Sequence, residues 1–357
     1  MRAGIEENEV ALSQEKRSIR NVEELEDILS EPTEAVIHAM AALKGDLVIL
    51  GIGGKMGPTL ARMAKRASEL AGVTRRVIGV SRFSASSRLE DRLHSWGVET
   101  HRADLLDAKS YAQLPEAPNL VFMAGMKFGS TGQESLTWAM NAFVPGLVSE
   151  RYRNSRIAVF STGNVYGLSA VSHGGSLEDD PLHPVGEYAL SCLGRERIFE
   201  HFSRTNQTQM SILRLNYAVE PRYGVLLDIA QKVFSGQAIP LEMGHLNAIW
   251  QADAVSMSLR ALNYASSPPF VINIAGPELL SVARIAGQFG ELFQKPVRFE
   301  GAESGEALLN NAGKAFQHFG YPQVGIDRMM FWIADWVARG AETLEKPTHF
   351  ENRSGNF

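Results

Sequence analysis

The apolar run DLVIL at 46–50 breaks directly into Gly51-Ile52-Gly53-Gly54-Lys55-Met56-Gly57, and Pro58 follows where the first turn of a helix tolerates it. A strand that turns on glycine straight into a helix leaves few architectures open. Glycine lets the chain turn sharply and approach a ligand, while unpaired N–H groups and the dipole of the new helix attract a diphosphate. The spacing predicts a dinucleotide cradle at Gly51, Gly53, Gly54 and Gly57, with Lys55 and Met56 offering backbone amides. The Lys55 side chain fits simple solvation equally well. An ordinary tight turn is the competing reading, and the alternating runs farther along the chain weigh against it.

Short apolar runs alternate with helical patterns: VIGVS at 77–81, VETHRA at 98–103, NLVFMAG at 119–125, RIAVFST at 156–162 and MSILRL at 210–215. That rhythm predicts βαβ units and an α/β fold, a Rossmann doubly wound parallel sheet. Further strands fit NAIW at 247–250, FVINIAG at 270–276 and PVRFEG at 296–301; helices fit 224–234, 280–293, 305–318 and 325–339. After about residue 217 the alternation weakens, which predicts a smaller C-terminal substrate-binding lobe. Val22, Leu25, Ile28 and Leu29, then Ala35, Val36, Ala39, Met40 and Leu43 before Gly45, recur at helical spacing. The expected organisation is a helical N-terminal extension over 1–45 and a dinucleotide-binding domain over 46–216, to which strands near 247–276 contribute. A lobe over 217–345 and a polar tail over 346–357, lying on the surface or poorly ordered, complete it.

The net charge of -5 supplies no broad basic surface for nucleic acid or anionic lipid. No apolar run reaches the ~20 residues that span a bilayer, and residues 1–20, polar and expected to be mobile, carry no signal-peptide core. Cys192 is the one cysteine, so an intramolecular disulfide and a four-cysteine zinc site are excluded. A cytoplasmic protein with a small-molecule partner, no nucleic acid and no membrane contact is expected. His173 and His183 flank Glu178-Asp179-Asp180, but the spacing matches no metal site, and a solvated substrate loop is the better reading. The aromatic stretch MMFWIADWV at 329–337 reads as core or subunit contact, because basic residues are scarce in it.

Within the cofactor region, the second strand ends on Ser81-Arg82, without the acid that would bind both hydroxyls of an NAD ribose. Arg82 either neutralises a 2′-phosphate, with Arg88 as a second cation, or is merely exposed; the first reading puts NADP ahead of NAD. Asp104, with Leu105, either meets the adenine or caps the following turn. Ala124 and Gly125 end the fourth strand with side chains small enough for a nucleotide to approach.

The glycines at 51, 54 and 57, Asp104, the block Ser161-Thr162-Gly163-Asn164-Val165-Tyr166-Gly167, the approach LEDDPLHPVGEYALS and Tyr188 together resemble the extended short-chain dehydrogenase/reductase superfamily, in its NAD-dependent epimerase/dehydratase branch. The likeness spans roughly 46–340. It implies that Thr162 orients a substrate oxygen and Tyr188 passes a proton as hydride moves to or from nicotinamide. It also implies a homodimer through helices beginning near Thr131 and Pro184.

The chain departs from that pattern where the family places a lysine four residues after the tyrosine: here stands Cys192, a neutral thiol that supplies no cation to lower a tyrosine pKa of about 10. Cys192 itself is a candidate nucleophile or redox centre, although small buried packing is commoner. Arg195, one turn on, reaches back as a displaced cation or, more commonly for such a residue, pairs on the surface with Glu196 or Glu200. Lys127 is a third candidate cation. Asn216 stands one place early, and Glu220 replaces a glycine. The expectation is an NAD(P)-dependent epimerase, dehydratase or reductase acting on a sugar-like or nucleotide-sugar hydroxyl or carbonyl compound. The alternative is a catalytically impaired dinucleotide-binding scaffold or redox-responsive regulator.

Overall fold

Four-residue runs without a polar face can form strands only where both sides of a sheet are covered, and that is where they lie. The computed structural model describes residues 17–83, 87–127 and 129–355; residues 1–16, most of the stretch expected to be mobile, lie outside them. Strands β1 (Leu47–Leu50), β2 (Val77–Ser81), β3 (Glu99–Arg102), β4 (Asn119–Phe122), β5 (Arg156–Thr162), β6 (Met210–Leu215) and β7 (Phe270–Ile274) form one seven-stranded sheet in the order β7-β6-β5-β4-β1-β2-β3. Every pairing is parallel. Leu50 lies beside Val80 and Phe122, so β1, β2 and β4 finish level. The chain reverses its direction of travel across the sheet between β1 and β4, the place where such sheets open a crevice.

Helices α1 (Val22–Leu29) and α2 (Glu34–Ala42) start on side-chain caps, the Asn21 amide oxygen accepting from Glu24 N and the Thr33 hydroxyl from Val36 N. Leu25 and Leu29 enter the core of the C-terminal lobe, whereas Val36 and Met40 enter a core on the sheet. Buried Arg222 joins α1 to the lobe by bonding Glu26 and Glu220 at 2.7 and 3.0 Å. Glu220, which breaks the family pattern, is thereby explained as half of a structural ion pair.

Among the later segments, only β7 joins the main sheet. Ile249–Trp250 pairs with Ala218–Val219, and Arg298–Glu300 with Ala238–Pro240, in separate two-stranded pieces. The helix expected over 305–318 is shorter, Gly313–Phe319. Asn310 N is claimed by the Asn247 side chain and Asn311 N by Ser176 O, while the Asn311 side chain caps Gly313 N, so helical bonding begins only there. Trp332, Ile333 and Trp336 of the helix Ile326–Ala338 are buried, and the Trp332 ring lies 5.0 Å from Trp250, which makes the aromatic stretch core.

The tail lies at the surface for most of its described length but is anchored at two residues. Thr348 and Phe350 are each only 2% exposed. Thr348 donates through its N and Oγ1 to Asp228 Oδ2, and Arg353 donates to the Glu242 and Glu306 carbonyls. A single buried aromatic among polar residues anchors a segment whose average composition looks solvated.

Behind β5, Glu196 and Arg214 form a buried pair at 2.8 Å, with side chains 4% and 6% exposed. Ser161 donates to Glu196; Arg214 also donates to the Tyr166 hydroxyl and Glu178 O, and Tyr166 donates on to Asn273. Removing one partner strands a charge in a dry interior. Arg214→Met is therefore expected to lower unfolding stability by roughly 3–5 kcal/mol, and Arg214→Met with Glu196→Leu to recover much of it, in urea denaturation. Additive losses would refute the coupling.

Candidate cofactor and active site

Two cavities, each of about 440 Å³, meet at the carboxyl ends of the strands. Gly54, Met123, Gly125 and Lys346 line both.

The glycine turn explains the first meeting point. A Cβ on Gly51, whose φ is +90°, would stand 2.6 Å from the Ala124 backbone, and one on Gly57 would stand 2.2 Å from the Ile52 carbonyl oxygen. Side chains at either place would push the turn off the sheet. Around the outer cavity stand Gly53, Ser81, Arg82, Asp104, Leu105 and Ala124. The structure thus gathers most of the expected cofactor residues there. Arg82 is exposed at the rim, and the Asp104 carboxylate accepts from Leu106 N at 3.0 Å, so it caps the turn while still lining the cavity. Lys55 and Met56 line the inner cavity with Thr162 and Tyr188.

Thr162 ends β5, and its hydroxyl accepts from Asn164 N at 3.2 Å and Asn164 Nδ2 at 2.8 Å. Tyr188 stands in the first turn of the helix Gly186–Asn206 and hydrogen-bonds with Thr162. The pair expected to orient and protonate a substrate oxygen is therefore assembled. Burial pushes the Tyr188 phenol well above its ordinary pKa, and Cys192 adds to this, while Arg195 and the Thr162 bond oppose it. Near neutral pH the phenol holds its proton.

Cys192 is fully buried against Val165 and Tyr166 and lines neither cavity. Burial raises its thiol pKa, which disfavours the thiolate that nucleophilic or redox chemistry needs. Arg195 corrects the expectation of a surface pair. It is 6% exposed, donates to Phe160 O at 2.8 Å and Asn141 Oδ1 at 2.7 Å, and lines the inner cavity. Glu196 and Glu200 pair elsewhere, with Arg214 and with Arg197 and Arg204. The helix turns Arg195 toward the sheet, where Gly125 leaves space: a Cβ there would lie 2.4 Å from the guanidinium.

Asn141 escaped sequence reasoning. It lies in a π-helical turn, Ala139–Phe143, within a helical stretch running from Glu134 to Arg151. Its amide accepts from Met126 N and donates to Met126 O and Ser191 Oγ, tying the loop after β4 to the tyrosine helix. The signal was a lone asparagine in the apolar stretch WAMNAFV. Tyr217, Tyr223 and Thr348 also line the inner cavity without having been singled out for it. Lys127 Nζ lies 5.6 Å from the centre of the Tyr188 ring, and Lys55 Nζ lies 3.2 Å from that of Tyr223. Burial, with Lys127 and Lys346 as like charges, pulls Lys55 down to about 6; burial pulls Lys127 down to about 8.

The model of the NAD dependent epimerase/dehydratase family matches residues 47–275. Among solved structures, UDP-glucuronic acid 4-epimerase from Bacillus cereus, as a tyrosine-to-phenylalanine mutant with UDP-4-deoxy-4-fluoro-glucuronic acid and NAD, is 18% identical, covering 82% of this chain and 99% of its own at a TM-score of 0.69. UDP-glucose 4-epimerase from Thermus thermophilus with NAD is 17% identical, covering 81% and 98% at 0.66. dTDP-glucose 4,6-dehydratase from Bacillus anthracis with NAD is 16% identical, covering 83% and 97% at 0.69. These likenesses establish the fold. Comparison with curated proteins finds no match.

The Lys55 shift carries a sign. Its folded pKa of about 6 lies below the ordinary 10.5, so between those values the unfolded chain binds the extra proton and stability rises with pH. Lys55→Met is expected to flatten the rise in unfolding free energy from pH 6.5 to 9, measured by urea denaturation, by less than the one-proton limit of about 1.4 kcal/mol per pH unit. An unchanged slope would remove the case for a depressed lysine.

Proposed function

This chain belongs to the NAD dependent epimerase/dehydratase family, and from that premise we propose that it is an NAD(P)-dependent epimerase, dehydratase or reductase acting on a sugar-like or nucleotide-sugar compound. The observation that carries the reading is the hydrogen-bonded Thr162 and Tyr188 pair on the wall of a cavity continuous in its lining with the glycine turn. The dinucleotide fits the residues present: the bare backbone over Gly51–Gly57 suits a diphosphate, and the outer cavity suits the adenosine half. When bound, it supplies a hydride acceptor or donor. The chain's own residues do the rest. Thr162 orients the substrate oxygen, Tyr188 holds a proton at its hydroxyl, and Arg195 supplies positive potential beneath them.

NADP preference is part of the proposal, supported by Ser81 in the acid's usual place and by Arg82 at the rim of the outer cavity. Ser81→Asp with Arg82→Ala is expected to reverse the order of the two Kd values, by about tenfold or more. Calorimetry that finds NAD bound more tightly by the unaltered protein would overturn the preference.

A homodimer is proposed as well, because Leu136, Trp138, Phe143 and Leu190 are exposed on the helices from which the family resemblance builds one. A single-chain mass in sedimentation would count against it.

A second reading, a scaffold without turnover, is favoured by one observation: a buried thiol stands where the family's lysine would act on the tyrosine. Tyr188→Phe separates the two. The enzyme reading expects turnover, read as absorbance change of the dinucleotide or as product from a sugar-nucleotide panel, to fall by about 10²-fold or more with dinucleotide binding kept. Wild-type protein that binds the dinucleotide yet turns over nothing, so that the substitution has nothing to remove, upholds the scaffold.

A further inference from the structure

Three lysines reach the inner cavity from distant parts of the chain: Lys55 from the glycine turn, Lys127 from the loop after β4 and Lys346 from the C-terminal segment. We propose that they form a recognition site for a carboxylate carried by the substrate and held beside Tyr188. The proposal rests on the reading of this cavity as the substrate chamber and adds the charge of what enters it.

The lining makes the case. It includes those three lysines and Arg195, but among the described residues no aspartate or glutamate. Arg195 is engaged below the floor by Phe160 O and Asn141. Lys55 and Lys127 are half-buried, the first over the Tyr223 ring and the second over the Tyr188 ring. The acid acting on both is Asp228, which lies outside the lining and whose Oδ2 accepts two bonds from Thr348. Those bonds fix the segment that presents Lys346.

Burial lowers the pKa of Lys55 and of Lys127, and Lys127 and Lys346 as like charges lower that of Lys55 further, so holding either lysine as an ammonium in this chamber is costly. An entering anion would relieve that cost, so the arrangement discriminates in favour of charge before any chemistry begins. Simple solvation does not account for it, because two of the three lysines are turned inward.

The test uses full-length protein saturated with dinucleotide and titrated calorimetrically with UDP-glucuronic acid and with UDP-glucose, which differ in one carboxylate. The acidic probe is expected to bind at least about tenfold more tightly. Lys127→Met should bring the ratio to within about twofold with dinucleotide affinity unchanged, and Lys346→Ala should reduce it by about threefold. Lys346 is exposed, so its variant keeps the test valid if Lys127→Met does not fold. A ratio near one in the unaltered protein, or one that survives both substitutions, overturns the proposal. So does a loss confined to dinucleotide affinity, which would assign the lysines to the cofactor's diphosphate. Failure of the unaltered protein to bind dinucleotide at all would instead sink the reading of the site on which this one rests.

Discussion

A guanidinium gripped from two sides organises the reactive end of the cleft. Arg195 bonds the carbonyl of Phe160 near the end of β5 and the amide of Asn141 in the π-turn. Asn141 in turn holds both backbone atoms of Met126 and the Ser191 hydroxyl. Three elements that deliver Thr162, Lys127 and Tyr188 are thereby fixed to one another. Each bond to a charged group contributes on the order of 1.5–3 kcal/mol, so the geometry is set before any ligand arrives.

The same arrangement accounts for the lysine's absence. One turn beyond Tyr188 the helix faces a cluster of Val165, Tyr166 and Leu182, into which the Cys192 thiol packs while it hydrogen-bonds with Tyr188. The positive charge lies one further turn along, on a residue long enough to reach the sheet and planar enough to bond two acceptors at once. It lowers the phenol's pKa from beneath, but burial outweighs it.

Much of this was legible. Binary pattern located all seven strands of the sheet, because parallel strands buried on both faces must be continuously apolar; β3, with the pattern ETHR, is an edge strand and the least apolar of them. Gly51 and Gly57 announced the turn, since no side chain fits there. The direction of Arg195 was hidden: spacing along the helix was visible, but the space left by Gly125 on another strand was not. The tail was hidden for a different reason. Its burial depends on Thr348 and Phe350, two residues in a polar run, and on Asp228, which lies 120 positions earlier. No local period records such a contact.

That contact changes how the chamber should be understood. By pattern alone, the lobe ends near residue 345, and the polar tail beyond it lies on the surface or is poorly ordered. In the fold, the chain returns over Arg222, places Lys346 where both cavities share a wall, buries Phe350, and brings Gly355 against Val185 and Gly186 at the start of the tyrosine helix. A Cβ on Gly186 would stand 2.5 Å from the Gly355 carbonyl oxygen, so the approach is close enough to exclude any larger residue. The segment therefore joins the cofactor end of the cleft to the tyrosine helix along its open side. Charge at the mouth and the position of the proton donor are then not independent features, because one stretch of backbone bears on both.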